Sequence, residues 1–139
     1  LFRRDLYGYS VLELNALRDF HYIPLESICY GEKKDFSESF IWTEVHYNPK
    51  NDLLAVGGCF RAAPYSTILL DFRDPMKANE LWIDFHQLLD PGYDTYCDIN
   101  FAGWNAATLL LDGENEITGE LERLEYSGDD CRRLLTQGR

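Results

Sequence analysis

The sequence lacks the features that mark several large functional classes. No run approaches the roughly 18–20 apolar residues that a membrane-spanning helix needs, and the first residues have no continuous apolar core like that of a secretory signal. Bases are few, 13 against 24 acids, and they do not cluster. A formal net charge of −11 repels phosphate backbones and anionic lipid surfaces, so we expect no binding to nucleic acid or to membranes.

Cysteine is scarce and widely spaced. The four cysteines show no C-x-x-C motif, and no Cys/His pair has the spacing of zinc ligands: Cys29, Cys59, Cys97 and Cys131. In a chain long enough for an ordinary core, this pattern favours reduced thiols in a cytoplasmic protein over a structural disulfide or a zinc site. We therefore predict no cofactor.

Motifs of catalysis are also missing. The sequence has no GxSxG, no His-Glu zinc helix, no phosphate-binding P-loop and no dinucleotide glycine fingerprint. Gly57 and Gly58 lack the following helix and lysine that phosphate binding requires. We expect a protein that is not an enzyme, although a triad assembled only in space leaves no local trace.

Short runs of alternating apolar residues, rich in aromatics and separated by turn residues, dominate the sequence. They predict a mainly β protein, an antiparallel meander of hairpins in a single β-rich domain over 1–126. The polar tail, 127–139, is either frayed or a short helix. A helix over 11–17 is an alternative to the first strand, 25–39 reads as a loop, and Gly57-Gly58 reads as the end of a buried strand. The predicted strands are 9–14, 20–23, 40–47, 53–56, 67–72, 81–86, 97–101, 108–112 and 120–126.

The chain contains an internal repeat. Residues 44–57 and 98–113 each hold an acid, an apolar-polar-aromatic strand, a turn with Asn, an aliphatic strand and a glycine. The offset of about 55 residues is typical of repeat architectures.

Over 40–126 these units resemble β-propeller blades of the WD-repeat type. The matching residues are the aliphatic second strand, 53–57, and a third strand that ends near an Asp, 68–72. The Gly-His and Trp-Asp dipeptides of true WD repeats are absent, and roughly two and a half units fall short of the four blades of a closed propeller. A two-sheet sandwich or a curled sheet is therefore favoured over a propeller fragment or a propeller completed by oligomerisation.

Two acid–histidine pairs are candidates for a metal site. Glu44 and His46, like Asp84 and His86, stand two residues apart in a predicted strand, so both members of a pair share one face. If the two strands were neighbours, the four side chains could bind a divalent metal or perform acid–base chemistry. The alternative is that they form the solvated faces of amphipathic strands.

The connection 59–65 is a candidate contact surface. It places Phe60, Arg61 and Tyr65 between two buried strands, and arginine and aromatic residues are typical of interface hot spots. The alternative is that Phe60 and Tyr65 fold back and cap the core. The acidic loop 90–98 lacks the ligand spacing of a calcium loop and reads as a connection.

Together these features favour a non-catalytic module that binds another protein. An acidic inhibitor or immunity-type protein that covers a basic partner is the second hypothesis, because the net charge would speed association with such a partner. A metal-dependent enzyme built on the two acid–histidine pairs is the third.

Overall fold

The computed structural model describes residues 1–22, 40–60, 63–77 and 82–137. The predicted loop 25–39 and the predicted contact residue Arg61 lie outside these residues. Ten strands and two helices follow one another along the described parts of the chain: β1 (Phe2–Arg4), β2 (Tyr9–Glu13), β3 (Arg18–Tyr22), β4 (Ile41–Asn48), β5 (Leu53–Cys59), β6 (Tyr65–Asp71), β7 (Trp82–Asp84), α1 (Phe85–Leu89), β8 (Tyr96–Asn105), β9 (Thr108–Asn115), β10 (Leu121–Tyr126) and α2 (Gly128–Gln137).

The strands form three antiparallel sheets. The N-terminal sheet has the order β1-β2-β3, the central sheet β4-β5-β6-β7 and the C-terminal sheet β10-β9-β8. Strands that are neighbours in the sequence are neighbours in each sheet, so every sheet is a meander of hairpins. The prediction of a mainly β antiparallel meander is confirmed, with three sheets among the described residues rather than one or two.

The central sheet is buried on both faces. Leu53, Ala55 and Leu69 pack in one hydrophobic cluster with the C-terminal sheet and α2. Leu54 and Ile68, which point to the opposite face, pack in a second cluster with residues of the N-terminal sheet. This explains why β5 and β6 are nearly continuous apolar runs, since a strand covered on both faces has no solvent-facing positions to fill with polar residues.

The sequence predicts that Gly57 and Gly58 end a buried strand, and this prediction is wrong. Both lie within β5, which is paired with β4 and β6 as far as Cys59. The register of β4 shifts between Trp42 and Glu44, and at this bulge the backbone of β4 comes very close to β5. A Cβ at Gly58 would lie 1.9 Å from the carbonyl oxygen of Ile41, so only glycine fits. The glycines mark a close approach of two strands.

Two local expectations about helices are corrected. Residues 11–17 are not helical, because β2 is followed by a turn in which Leu17 has a φ of 50°. The strand expected over 81–86 ends at Asp84, and helix α1 begins at Phe85.

Residues Gly128–Gln137 form helix α2, which agrees with the second of the two alternatives expected for the segment after Tyr126. Cys131 and Leu135 are buried in the cluster between the central and C-terminal sheets. Arg132 binds the buried carboxylate of Asp71 at 2.9 Å and also donates to the carbonyl of Asn51. None of the described helices is long and apolar enough to cross a membrane.

Candidate functional site

The predicted contact residues around the β5–β6 connection have different surroundings. Phe60 is buried, with its ring 5.0 Å from that of Phe40, so it packs in the core as the alternative interpretation expected. Tyr65 is 45% exposed, and its backbone N–H donates to Asp98 at 2.9 Å. Of the predicted set, Tyr65 is therefore the described side chain that a partner can reach.

Glu44 and His46 share one face of β4, as predicted. His46 Nε2 lies 3.3 Å from a carboxylate oxygen of Glu44, close enough for an ion pair although the two groups are not aligned as a hydrogen bond. The imidazole stacks on Phe101 of β8 with ring centroids 4.0 Å apart, and Trp104 Nε1 donates to the His46 carbonyl at 3.0 Å. His46 thus joins the edge of the central sheet to the C-terminal sheet.

Asp84 and His86 are not a solvated strand face, and that expectation is wrong. Asp84 is the N-cap of α1: its carboxylate accepts the N–H of His86 at 3.0 Å and the hydroxyl of Ser66 at 2.5 Å. Both Asp84 and His86 are buried. An aspartate at this position satisfies backbone donors that the first turn of a helix leaves open.

His86 is held by β8 and by the preceding loop. Its Nε2 lies 3.2 Å from the Tyr96 carbonyl, and because a carbonyl only accepts, Nε2 is the protonated nitrogen that donates. The ring also lies against Tyr93, with centroids 4.4 Å apart. Nδ1 is buried and has no hydrogen-bond partner in the described part of the chain. The imidazole is therefore a packed core group.

The structure does not bring the two acid–histidine pairs together. β4 and β7 are the opposite edges of the central sheet, with β5 and β6 between them. Three strand spacings of about 4.8 Å separate the two edges by about 14 Å. The hypothesis of one metal site built on Glu44, His46, Asp84 and His86 is therefore wrong.

A serine–histidine contact on the outer face of the N-terminal sheet was missed by sequence reasoning. Ser10 Oγ lies 2.5 Å from a carboxylate oxygen of Asp5 and 2.7 Å from His21 Nδ1. The hydrogen bond from Ser10, with further help from Arg3, holds the pKa of Asp5 below its usual value. The hydroxyl donates its one proton to Asp5 and so accepts from the imidazole, which means that His21 does not activate Ser10 as a nucleophile.

A second missed group lies where β8 begins. Ligand atoms of Cys97, Asp98 and Glu114 all lie within 4.8 Å of one another. Burial, together with the hydrogen bond and the charge of Glu114, raises the pKa of the Cys97 thiol. Burial and the charge of Asp98 likewise raise the pKa of the thiol of Cys59 at the end of β5. The repeat alignment contained part of the signal, since it placed Asp98 at the start of a segment that ends at Gly113, one residue before Glu114.

The third described thiol lies in the core. Burial raises the pKa of Cys131 to about 11. The three described cysteines form no disulfide with one another. Cys29 lies outside the described residues.

The negative charge of the protein is concentrated in one part of the chain. Residues 90–130 hold 11 of the 24 acids and a single base, Arg123, whereas the rest of the sequence is nearly balanced. Arg123 is already paired with Asp112 at 2.7 Å. Strand alternation in β9 directs Leu109 and Leu111 into the core and places Asp112 and Glu114 on the opposite face. We call the outward acids of the C-terminal sheet and of its β9–β10 connection the acidic face: Asp98, Asp112, Glu114, Glu116, Glu120 and Glu125.

Comparisons with known proteins give one distant relative. No protein-family profile matches the chain, and no solved structure matches it. An uncharacterized protein of Acanthamoeba polyphaga mimivirus, R762, is 32% identical over 116 residues. The match covers 78% of this chain and 42% of the viral protein, so the chain spans less than half the length of that relative.

Proposed function

We propose that this chain is a protein-interaction module whose acidic face binds a basic surface of another protein. The observation that carries the proposal is the location of the charge: residues 90–130 hold ten of the eleven net negative charges. A single-sign surface attracts an oppositely charged partner over a distance comparable to the Debye length, and it orients the encounter.

The acidic face is open to solvent. Glu116, Glu120 and Glu125 are exposed, and Leu121 beside them is 66% exposed. Helix α2 buries Cys131 and Leu135 in the cluster on the inner side of the C-terminal sheet, so it leaves the outer side uncovered. Exposed leucine amid carboxylates provides apolar contact area together with charge complementarity, a combination found at protein interfaces.

The same charge distribution favours a basic protein over nucleic acid, because the net negative charge of residues 90–130 would repel a phosphate backbone. It also supports the more specific hypothesis of an acidic inhibitor that covers a basic active site. The non-catalytic character of the module is part of the proposal.

The experiment compares capture by two charge-matched variants with capture by the wild type. One variant carries Glu116→Gln, Glu120→Gln and Glu125→Gln in the acidic face. The control carries Glu13→Gln, Asp19→Asn and Asp74→Asn, which remove the same charge from other parts of the molecule. Cross-linked partners from cells of the source organism are identified by mass spectrometry.

We expect a basic protein that is captured by the wild type and by the control and is lost with the acidic-face variant. Equal capture by the two variants would contradict the proposal, because it would mean that the location of the charge is irrelevant. Partners without a basic surface would contradict it as well.

We further propose that the three sheets are successive blade-like units, as the resemblance to propeller blades suggests. Two observations support this. The repeat segments 44–57 and 98–113 each fall on an antiparallel hairpin, β4–β5 and β8–β9. The turns of these hairpins are hydrogen bonded to each other, from Asn48 to the Ala106 carbonyl at 2.7 Å and from Asn51 to the Ala107 carbonyl at 3.2 Å. If copies of the chain close a ring, light scattering will give an oligomer, whereas a monomer at every concentration contradicts closure by self-association.

A further inference from the structure

We propose that Cys97, Asp98 and Glu114 form a binding site for a zinc-like divalent metal ion, with one thiolate and two carboxylate ligands. The three ligand atoms lie within 4.8 Å of one another. They come from two paired strands, β8 and β9, so the sheet fixes their relative positions. This site is separate from the acid–histidine pairs considered above, and two of its three ligands, Asp98 and Glu114, belong to the acidic face.

A β-bulge explains why three ligands converge. In a regular strand, successive side chains point to opposite faces, so Cys97 and Asp98 would diverge. The register of β8 against β9 instead shifts between Tyr96 and Asp98: Tyr96 pairs with Asn115, and Asp98 pairs with Glu114. Two residues of β8 therefore oppose one interval of β9, and the bulge turns the Cys97 side chain toward Glu114. Bulges that redirect a side chain in this way are common beside functional sites.

The geometry suits a small tetrahedral ion. Metal–sulfur distances of about 2.3 Å and metal–oxygen distances of about 2.0–2.2 Å place neighbouring ligand atoms about 3.4–3.6 Å apart. Ligand atoms that already lie within 4.8 Å of one another reach this spacing through small side-chain rotations. Tyr65 N–H occupies one oxygen of Asp98, which leaves the second oxygen for the metal.

The ligand types select among metals. A thiolate favours zinc and other thiophilic ions over magnesium and calcium, which prefer sites made of oxygen alone. Three protein ligands leave a fourth position for water or for a group from a bound molecule. On binding, the Cys97 thiol releases its proton to solvent and exchanges its present contact with the Glu114 carbonyl, 3.4 Å away, for the metal.

The charge around the site favours a cation. Asp98 and Glu114 stand side by side on paired strands, and neither has an ion-pair partner among the residues that the structure describes. The single base of this region, Arg123, is bound to Asp112. A divalent cation would therefore relieve the repulsion between the two adjacent carboxylates, whereas a neutral thiol carries no positive charge that could do so.

The test is calorimetric titration of zinc into the full chain, with a phosphine reductant present to keep the thiols free. Cys97→Ser and Glu114→Gln are the test variants. Cys59→Ser is the matched control, because Cys59 is a thiol of similar exposure near Asp98 that lies outside the three-ligand set. Titrations with magnesium and calcium measure binding that depends on the carboxylates alone.

We expect one zinc per wild-type chain. In Cys97→Ser and Glu114→Gln, the affinity for zinc should fall by more than the roughly 10–100-fold that the loss of an outer-shell partner typically costs. In Cys59→Ser, the affinity for zinc should stay within about threefold of the wild-type value. Cobalt added to the wild type should give a thiolate-to-metal charge-transfer band, which needs no variant to interpret. Absence of that band, no stoichiometric zinc binding, tighter binding of magnesium than of zinc, or equal loss in Cys59→Ser would each overturn the proposal.

Discussion

At the scale of single residues, the adjacent glycines of β5 differ sharply in what surrounds them. A methyl group at Gly58 would meet the backbone carbonyl of Ile41 at 1.9 Å, whereas one at Gly57 would meet the side chain of Glu44 at 2.6 Å. Backbone inside a sheet cannot move aside, but a half-exposed glutamate can rotate away. We therefore expect Gly58→Ala to lower the free energy of unfolding by about 3 kcal/mol or more, and Gly57→Ala by about 1 kcal/mol or less. Urea unfolding of both variants measures the difference, and equal losses would show that β4 and β5 are not this close.

Asp90 provides a pH test at the same scale. Burial alone would raise the pKa of Asp90, but the backbone N–H groups of Tyr96, Thr95 and Asp94 donate to its carboxylate and bring the pKa below the usual value. A lowered folded-state pKa means that this carboxylate stabilises the fold fully above about pH 4 and loses its contribution as the pH falls through the lowered pKa. The ionised form is the one that holds the loop.

Asp90→Asn should therefore be less stable than the wild type by about 1–3 kcal/mol at pH 7, since an amide oxygen cannot accept all three N–H groups. The gap should narrow in acid, because the unfolded wild-type chain binds a proton at Asp90 more readily than the folded chain does. Urea unfolding at pH 7 and near pH 3 gives both values. A gap that is the same at the two pH values would be inconsistent with a lowered pKa.

Asp84 shows how a residue-scale pattern misled the sequence interpretation. The alternation of residues 81–86 predicted a strand over the whole segment, and it placed Asp84 and His86 on one solvated face. Asp84 is nevertheless followed three residues later by Gln87, which is the spacing of a capping box. The helix start was therefore predictable, whereas the buried contact of Asp84 with Ser66, 18 residues away, was not.

At the scale of elements, helix α2 is attached to the central sheet through Arg132. The Asp71 carboxylate is almost fully buried and is bound by both Arg73 and Arg132. The adjacent Arg133 makes a surface pair with Asp130 within the helix. We expect Arg132→Met to lower the free energy of unfolding by about 1–2 kcal/mol, because Arg73 continues to bind Asp71. Arg133→Met should change it by about 0.5 kcal/mol or less.

Urea unfolding monitored by circular dichroism checks this pair of variants. The two substitutions remove the same charge from neighbouring positions, so a difference between them reports the contact with the sheet. If Arg133→Met is as destabilising as Arg132→Met, the link between α2 and Asp71 is not a stabilising contact.

The elements that sequence reasoning predicted best are those with regular alternation, such as β4, β5, β6 and β9. Their burial pattern follows from the strand period alone. The full extent of β5 was missed because glycine usually weakens a strand, and the requirement for glycine comes from the bulge in a different strand. Helix α2 was left open because its polar residues outnumber the two that the core buries, Cys131 and Leu135. Such features depend on partners distant in sequence.

At the scale of the whole molecule, residues 1–89, which include the N-terminal and central sheets, carry a net charge of −4, whereas residues 90–130, which include the C-terminal sheet, carry −10. The composition gives the net charge of the chain. The fold adds the location of that charge, because it places the acids of the acidic face on the outer side of the C-terminal sheet. The sheet places the acids outward because the same strands must bury Leu109 and Leu111. The central claim is that this face steers a basic partner.

The most direct test is the association rate constant of the chain with its captured partner, measured by stopped-flow from low salt to physiological ionic strength. The Debye length falls from about 30 Å at 0.01 M to about 8 Å at 0.15 M. We predict that the wild-type and control rates fall at least about tenfold over this range. The variant with Glu116, Glu120 and Glu125 neutralised should be slower at low salt and less sensitive to salt. Identical rates and identical salt dependence for the acidic-face variant and the control would contradict the account.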